Sequence, residues 1–243
     1  MVPRTTFMAA LLAVTGMAAA ADIENQPAQM MPLASKSLLL DVANAGSRFV
    51  AVGERGHILA SVDGHQWAQA NVPTRATLTA VTFADAEHGW AVGHDAVILA
   101  TEDGGQNWTL QNFEPDLEKP FLDVMFLSPT RGFAIGAYSL FYETIDGGES
   151  WTEHDTPARD DEWHFNAIER LNNGTLVIVG ESGTVAVSRD DGETWESVPS
   201  PYAGSYFDAV AHGENGVLIF GLRGNAYRSD STDEIAWTKV NTG

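Results

Sequence analysis

Four stretches of the chain repeat the pattern Ser/Thr-x-Asp-x-Gly-x-x-Trp, and this repeat limits the fold more than any other feature. They read TEDGGQNW at Thr101–Trp108, TIDGGESW at Thr144–Trp151, SRDDGETW at Ser188–Trp195 and, in shortened form, SVDGHQW at Ser61–Trp67. With a degenerate copy at Trp237, the tryptophans recur at steps of 41, 43, 44 and 42 residues. A period of about forty residues built from short strands is the sequence signature of a β-propeller with one blade per repeat.

A second landmark keeps the same period. Short apolar runs such as RFVAVG and LVIVG end in glycine, and these glycines recur at steps of 40, 43, 44 and 41 residues. They are Gly53, Gly93, Gly136, Gly180 and Gly221. Within a repeat, Thr77–Phe83 alternates with period two, as a strand does, and the segment after each tryptophan is more polar, as an outer strand is. We therefore predict an all-β chain in which residues 38–243 form a β-propeller of five four-stranded blades.

The first 21 residues have the composition of a bacterial secretory signal. One basic residue, Arg4, precedes the apolar run Phe7–Met17, and the alanines that follow offer cleavage after Ala20 or Ala21. The alternative is a membrane anchor, but the apolar run is short for a span. We expect a periplasmic or otherwise exported protein that does not span the membrane after cleavage. Residues 22–37 form an N-terminal segment, in which Ile23–Pro32 is a candidate for a strand that closes the ring.

The composition narrows the class of partner. The formal net charge is −20, which disfavours nucleic acid and anionic lipid and favours basic or metal-bearing partners. The alternative is that acidity only keeps an exported protein soluble. There are no cysteines, so the fold has no disulfides.

The repeated box is best explained by a local structural role. An aspartate in a turn accepts hydrogen bonds from the turn's own backbone N–H groups, and each tryptophan can bury its ring between neighbouring sheets. The alternative, calcium ligation or acid catalysis, is disfavoured because the spacing is not that of an EF-hand loop. The predicted structural residues are Asp63, Trp67, Asp103, Trp108, Asp146, Trp151, Asp190 and Trp195.

The boxes resemble the BNR/Asp-box repeats of sialidases and sortilin-type receptors. The longer stretch GWAVGHDAVILATEDGGQNW at Gly89–Trp108 resembles the photosystem II assembly and stability factor family, and the likeness extends over about Leu38 to Trp237. Members of that family resemble seven-bladed propellers, whereas this chain has room for five. The resemblance implies a non-catalytic, protein-binding assembly or accessory factor for a membrane complex, either photosystem-like or an envelope transporter.

One face of the propeller is predicted to dock the partner. Loops that leave the second strand and loops between blades open on the same face, opposite the boxes. Arginines and aromatics dominate the energetics of protein interfaces. The candidate docking residues are Arg55, Arg75, Tyr138, Trp163, Tyr202 and Arg223. The alternative is that the arginines pair with Glu54, Asp160 and Glu181 and only tie loops together.

Two rival functions use the same loops. A sialidase-like hydrolase needs an arginine triad, a tyrosine nucleophile with a glutamate, and an aspartic acid. Only one set of loop residues has these types: Arg55, Arg75, Arg223, Tyr138, Glu181 and Asp95. A carbohydrate-binding propeller would repeat one pocket per blade, but the residues after the strand glycines are not the same: they are Glu54, His94, Ala137, Glu181 and Leu222. The histidines lack metal-ligand spacing, so we predict no catalytic residue, no metal site and no cofactor.

Overall fold

A computed structural model describes residues 26–155 and 162–243. The predicted signal peptide and the loop residues Asp160 and Asp161 lie outside these ranges. No helix in the described ranges is long and apolar enough to cross a membrane.

The described residues form five antiparallel sheets of four strands each, which confirms the predicted all-β propeller architecture and its five blades. Blade 1 contains β1 Leu39–Asn44, β2 Phe49–Gly53, β3 Ile58–Ser61 and β4 Ala68–Gln69, and blade 2 contains β5 Leu78–Phe83, β6 Gly89–Gly93, β7 Ile98–Thr101 and β8 Thr109–Asn112. Blade 3 contains β9 Phe121–Phe126, β10 Gly132–Gly136, β11 Phe141–Thr144 and β12 Thr152–Glu153, and blade 4 contains β13 Phe165–Arg170, β14 Leu176–Gly180, β15 Val185–Ser188 and β16 Glu196–Ser197. Blade 5 contains β17 Tyr206–His212, β18 Gly216–Gly221, β19 Ala226–Ser229 and β20 Thr238–Lys239.

The second strand of each blade ends in glycine because the backbone at the start of the first strand comes too close for a side chain. The innermost strand of every blade carries a register shift near its start, for example between Leu78 and Ala80. At this point a Cβ on Gly93 would lie 2.1 Å from the carbonyl oxygen of Thr77. That carbonyl accepts the N–H of the following residue, His94, at 2.9 Å. The periodic glycine therefore marks a hydrogen-bonded join between the first two strands, where no side chain fits.

The hydrophobic core consists of four apolar layers, each between two consecutive blades. One layer joins blades 1 and 2 through residues such as Val52 and Val81, and equivalent layers follow between blades 2 and 3, 3 and 4, and 4 and 5. The innermost strands pack in series: β1 on β5, β5 on β9, β9 on β13, and β13 on β17. Within the described ranges, β17 and β1 share no packing of this extent.

Polar side chains on the innermost strands cross each layer in two alternating ways. In odd blades an aspartate accepts a backbone N–H of the next blade: Asp41 binds Val81 N and Asp123 binds Ile168 N, both at 2.8 Å. In even blades a side chain donates to a backbone carbonyl of the next blade. Thr79 bonds Phe121 O at 2.9 Å, and Asn166 bonds Tyr206 O at 2.7 Å.

The described part of the N-terminal segment lies along blade 1. Ala28 N donates to Val72 O at 2.9 Å, and the side chain of Gln69 bonds Met31 N and Gln29 O. Residues 26–32 form no strand, so the closure strand proposed for Ile23–Pro32 is absent from this part of the segment. Pro27 and Pro32 have no backbone N–H to give to a strand ladder.

Candidate functional site

Each blade presents one side chain at a tight turn between its second and third strands. The first central residue of every turn has a left-handed backbone, with φ between 53° and 61°. These residues are Arg55, Asp95, Tyr138, Ser182 and Arg223. In each case the turn closes with a backbone hydrogen bond, such as His57 N to Glu54 O at 3.0 Å.

The residue types at these turns are unusual. Two-residue hairpin loops need positive φ at both central positions and therefore favour Asn-Gly or Gly-Gly. Glycine does occupy the second position in three blades, as Gly56, Gly183 and Gly224. At the first position, arginine or tyrosine in the left-handed region costs about 1–2 kcal/mol each. Strained backbone of this kind concentrates at binding and active sites, so the turns are the first place to look for function.

The loops between blades lie beside these turns, as the sequence predicts. A Cβ on Gly56 would meet the carbonyl oxygen of Thr74, and one on Gly183 would meet that of Tyr202. In blade 3 the backbone N–H and the hydroxyl of Ser139 both donate to Trp163 O, at 3.0 Å. The turns and the interblade loops thus share one face of the propeller, which we call the turn face.

Arg55 and Arg75 meet at a cavity of about 270 Å³ on the turn face, which Gln29, Met31 and His57 also line. Both arginines are exposed, and Arg75 Nε donates to Pro27 O at 3.2 Å. Neither arginine forms an ion pair with a carboxylate of the described residues; Glu54 instead accepts Leu38 N. Burial lowers the pKa of His57, which contacts Ser37 Oγ at 2.9 Å. The cavity therefore offers two guanidinium groups that form no ion pair with a described carboxylate, beside a histidine that favours its neutral form.

Tyr138 is the centre of a second group on the turn face. Its side chain is 52 % exposed, and its ring makes an edge contact with His164 at 4.7 Å between centroids. Lys119 Nζ lies 5.9 Å from the centre of the Tyr138 ring. Trp163 is also exposed, next to His164 in the chain. These residues form an amphipathic surface of a kind common in protein interfaces.

The other two predicted docking residues, Tyr202 and Arg223, belong to neither of these two groups. Tyr202 is half-buried and makes an edge contact with Tyr206 at 6.1 Å, so its ring belongs to the layer between blades 4 and 5. Arg223 lines a separate cavity of about 460 Å³ with C-terminal residues that include Lys239 and Thr242. The three arginines therefore do not converge. Arg55 and Arg75 share a cavity, and Arg223 does not line it.

Sequence reasoning missed Lys119 and the N-terminal residues Gln29 and Met31. Lys119 precedes Pro120 in an interblade loop, and a basic residue at that position was a detectable signal. The contribution of the N-terminal segment had no such signal, because it depends on hydrogen bonds to Gln69 and Val72, some forty residues away.

The residues of the sialidase-like set are not assembled into one site. The Oε2 atom of Glu181 lies 3.9 Å from His164 Nδ1, and the same oxygen accepts the His164 backbone N–H at 3.4 Å. Arg223 lines a different cavity from Arg55 and Arg75. Among the described residues, no group of three or more His, Asp or Glu side chains is placed to hold a metal ion.

Each box is held by hydrogen bonds among its own residues. In each box the Ser or Thr hydroxyl donates to the aspartate, as Thr144 does to Asp146 at 2.8 Å, and the aspartate accepts a backbone N–H three or four residues further on. Hydrogen bonds to the side chain and backbone of Ser150 lower the pKa of Asp146 to about 2, and Thr194 does the same for Asp190. A carboxylate this well bonded is held as an ion at neutral pH and is a poor general acid.

The boxes also join consecutive blades. A Cβ on Gly105 would lie 3.0 Å from Val50 Cγ2 in blade 1, and one on Gly192 would meet the ring of Phe133 in blade 3. Trp108 and Trp195 are buried in the layers between these blades. Trp67 and Trp151 are only half-buried, so burial of the ring is complete in two of the four boxes. We infer that the box residues stabilise the fold.

Residues 59–119 and 109–240 match the family described as "Photosynthesis system II assembly factor YCF48". The chain belongs to this family. Two relatives of this chain are named as photosystem II factors. The Ycf48 protein of Thermosynechococcus vestitus is 33 % identical over 182 residues, which cover 74 % of this chain and 52 % of the relative. The chloroplast stability/assembly factor HCF136 of Cyanidioschyzon merolae is 35 % identical over 92 residues, covering 35 % of this chain and 21 % of the relative.

Solved structures of Ycf48 proteins share the fold. The structure titled "YCF48 bound to D1 peptide" aligns with a TM-score of 0.65 at 20 % identity, over 82 % of this chain and 67 % of that one. An ancestral GH74 enzyme aligns with a TM-score of 0.68 at 14 % identity, over 84 % of this chain but 31 % of the enzyme. At these identities the likeness shows the fold alone. The chain spans about half the length of the Thermosynechococcus relative.

Proposed function

We propose that this Ycf48-family chain is a non-catalytic, protein-binding assembly or accessory factor that docks its partner on the turn face. One observation carries the proposal. Arg55 and Arg75 converge on one cavity without a carboxylate partner among residues 26–155 and 162–243, in a chain whose net charge is −20. Guanidinium groups form paired hydrogen bonds with carboxylates, so the site suits an acidic or C-terminal carboxylate segment of the partner.

The relatives support this class of function. They are named as assembly and stability factors, and one Ycf48 structure is described as bound to a D1 peptide. For this chain the partner is a subunit of a membrane complex, photosystem-like or an envelope transporter. The chain acts from an exported, periplasmic position. The predicted signal peptide and relatives that are named lipoproteins support this location.

The turn face recognises a peptide by two chemistries. The cavity of Arg55 and Arg75 holds an acidic group, and the exposed rings of Tyr138 and Trp163 in blade 3 pack on apolar side chains. Tyrosine, tryptophan and arginine are the residues whose truncation costs most at protein interfaces. Trp163 and Ser139 are held together by hydrogen bonds at 3.0 Å, so the aromatic part of the surface is preorganised.

The test compares three tagged proteins in crosslinked cells of the source organism. They are the wild type, the double variant Arg55→Glu/Arg75→Glu, and the control Arg48→Glu. Arg48 lines a cavity beside the boxes together with Gly105 and Gln106, so the control changes charge away from the turn face. Quantitative mass spectrometry should show a membrane protein that is lost from the double variant and retained by the control. Equal recovery from both variants, with unchanged melting curves, would reject docking at this cavity.

A further inference from the structure

Blade 5 is the last blade of the described residues, and its flank away from blade 4 is built like an internal junction. On β17 and β18, Val210, Leu218 and Phe220 occupy the positions that Thr82, Trp90 and Val92 occupy in blade 2, according to strand register. In blade 2 these positions face blade 3, and Trp90 and Val92 are buried there. In blade 5, Val210 is exposed and Leu218 and Phe220 are half-buried. Phe207, beside them, is 54 % exposed.

Asp208 on this surface has an unused acceptor. It occupies the position that Asp41 holds in blade 1 and Asp123 in blade 3, directly after the register shift of the innermost strand. Those two aspartates each bind a backbone N–H of the next blade at 2.8 Å. Asp208 accepts only the N–H of Ala209, at 2.7 Å. Its second oxygen has no donor among the described residues.

The internal junctions also define which strand fits Asp208. The N–H groups bound by Asp41 and Asp123 belong to Val81 and Ile168, and each of these follows an alanine. In an odd blade the equivalent backbone N–H is already bonded by the aspartate that precedes it in the chain. Val42 N, for example, donates to Asp41 at 2.7 Å. A strand that fits Asp208 therefore has a small residue at the position where the odd blades have aspartate. The next residue is branched and apolar, and its backbone N–H is free to bind Asp208.

Blade 1 is a poor occupant, whether it comes from the same molecule or from a second copy. It would bring Asp41 towards Asp208 and offer an N–H that is already used. Burial raises the pKa of Asp208, and Asp41 raises it further, as expected for carboxylates that repel each other. A net charge of −20 also opposes self-association.

We propose that the exposed flank of blade 5 docks an apolar β-hairpin of a partner protein that has no carboxylate opposite Asp208 and whose backbone N–H binds Asp208. The hairpin packs on Val210, Leu218 and Phe220 as a following blade would. This surface is independent of the turn face and does not rest on the function proposed for it.

Two synthetic peptides from the chain itself test the proposal. Residues 78–93 form the β5–β6 hairpin of an even blade, and residues 121–136 form the β9–β10 hairpin of an odd blade. Dye-labelled peptides are titrated with the 243-residue protein and followed by fluorescence anisotropy, and amide NMR shifts locate the site. We expect the even-blade peptide to bind at Asp208 and Val210 about tenfold more tightly than the odd-blade peptide. Equal affinities, or no binding, would overturn the proposal.

Variants connect binding to the named residues. Asp208→Ala should weaken the even-blade peptide about tenfold, as expected for loss of a hydrogen bond to an ionised acceptor, and Val210→Asp should weaken it as well. Asp233→Ala changes an exposed aspartate in the β19–β20 loop of the same blade and should leave binding unchanged. Unchanged binding by Asp208→Ala would contradict the role of its carboxylate. Analytical ultracentrifugation is run in parallel, and a dimer that Val210→Asp abolishes would overturn the choice of occupant in favour of a second copy.

Discussion

The carboxylate of Asp123 in blade 3 accepts the backbone N–H of Ile168 in blade 4, at 2.8 Å. Burial raises the pKa of Asp123 to about 7, although the hydrogen bonds from Ile168 and Val124 oppose this change. The charges of Asp41 and Asp208 contribute in the same direction as burial to this raised pKa. The junction between blades thus contains a carboxyl group that gains a proton near neutral pH.

The first prediction is that stability falls as the pH rises from about 4 to about 7. In this window the unfolded chain has lost the Asp123 proton, whereas the folded protein, with its raised pKa of about 7, still holds it. The folded state binds more protons, so rising pH disfavours it. An asparagine side chain keeps an acceptor oxygen but carries no charge. The melting temperature of Asp123→Asn should therefore change less with pH over this range than that of the wild type. Identical pH profiles for wild type and variant would contradict the shift.

The second prediction concerns the acid limb below pH 4. The pKa of Asp190 is lowered to about 2 by hydrogen bonds from Thr194 and Ser188. Its contribution to stability is therefore present above pH 4 and is lost as the pH falls towards 2. Asp190→Asn should reduce this acid sensitivity and lower stability at pH 7. Asp191→Asn is the control, because Asp191 is exposed and its contact is a 3.6 Å ion pair with Arg170; it should leave the acid limb unchanged.

The third prediction separates the box tryptophans by burial. Trp195 is 6 % exposed in the layer between blades 3 and 4, so Trp195→Ala should cost about 3–5 kcal/mol in the free energy of unfolding. Trp67→Ala should cost clearly less, because Trp67 is half-exposed in blade 1. Urea denaturation measures both. Equal losses would show that the boxes stabilise the fold by something other than ring burial.

The fourth prediction concerns the periodic glycines. In Gly93→Ala the new Cβ would lie 2.1 Å from the Thr77 carbonyl oxygen, so the join between β5 and β6 must open. Gly64→Ala is the comparison, because no atom lies within 4 Å of a Cβ there and its φ is +70°; its cost is about 1–2 kcal/mol. We expect Gly93→Ala to lower the melting temperature far more than Gly64→Ala. A mild effect at Gly93 would contradict the close approach.

The sequence predicted the blades because their determinants are local. Each repeat carries its own turn signals and apolar strands, and the spacing of Trp108 and Trp151 fixes strand order. The alternating bonds of Asp41 and Thr79 could not be predicted in this way, because they depend on how one sheet rotates against the next. The packing of residues 26–32 on blade 1 is set by long-range hydrogen bonds that leave no pattern in the sequence.

Docking at the turn face is tested most directly by photo-crosslinking from single positions in living cells. A photoreactive amino acid replaces Tyr138 on the turn face or, as the control, Val62 in the box of blade 1, which is 76 % exposed. The account predicts a crosslinked membrane protein from position 138 that is absent from position 62 and is lost when Arg55→Glu/Arg75→Glu is added. Crosslinks of equal yield from both positions, or from position 62 alone, would contradict it.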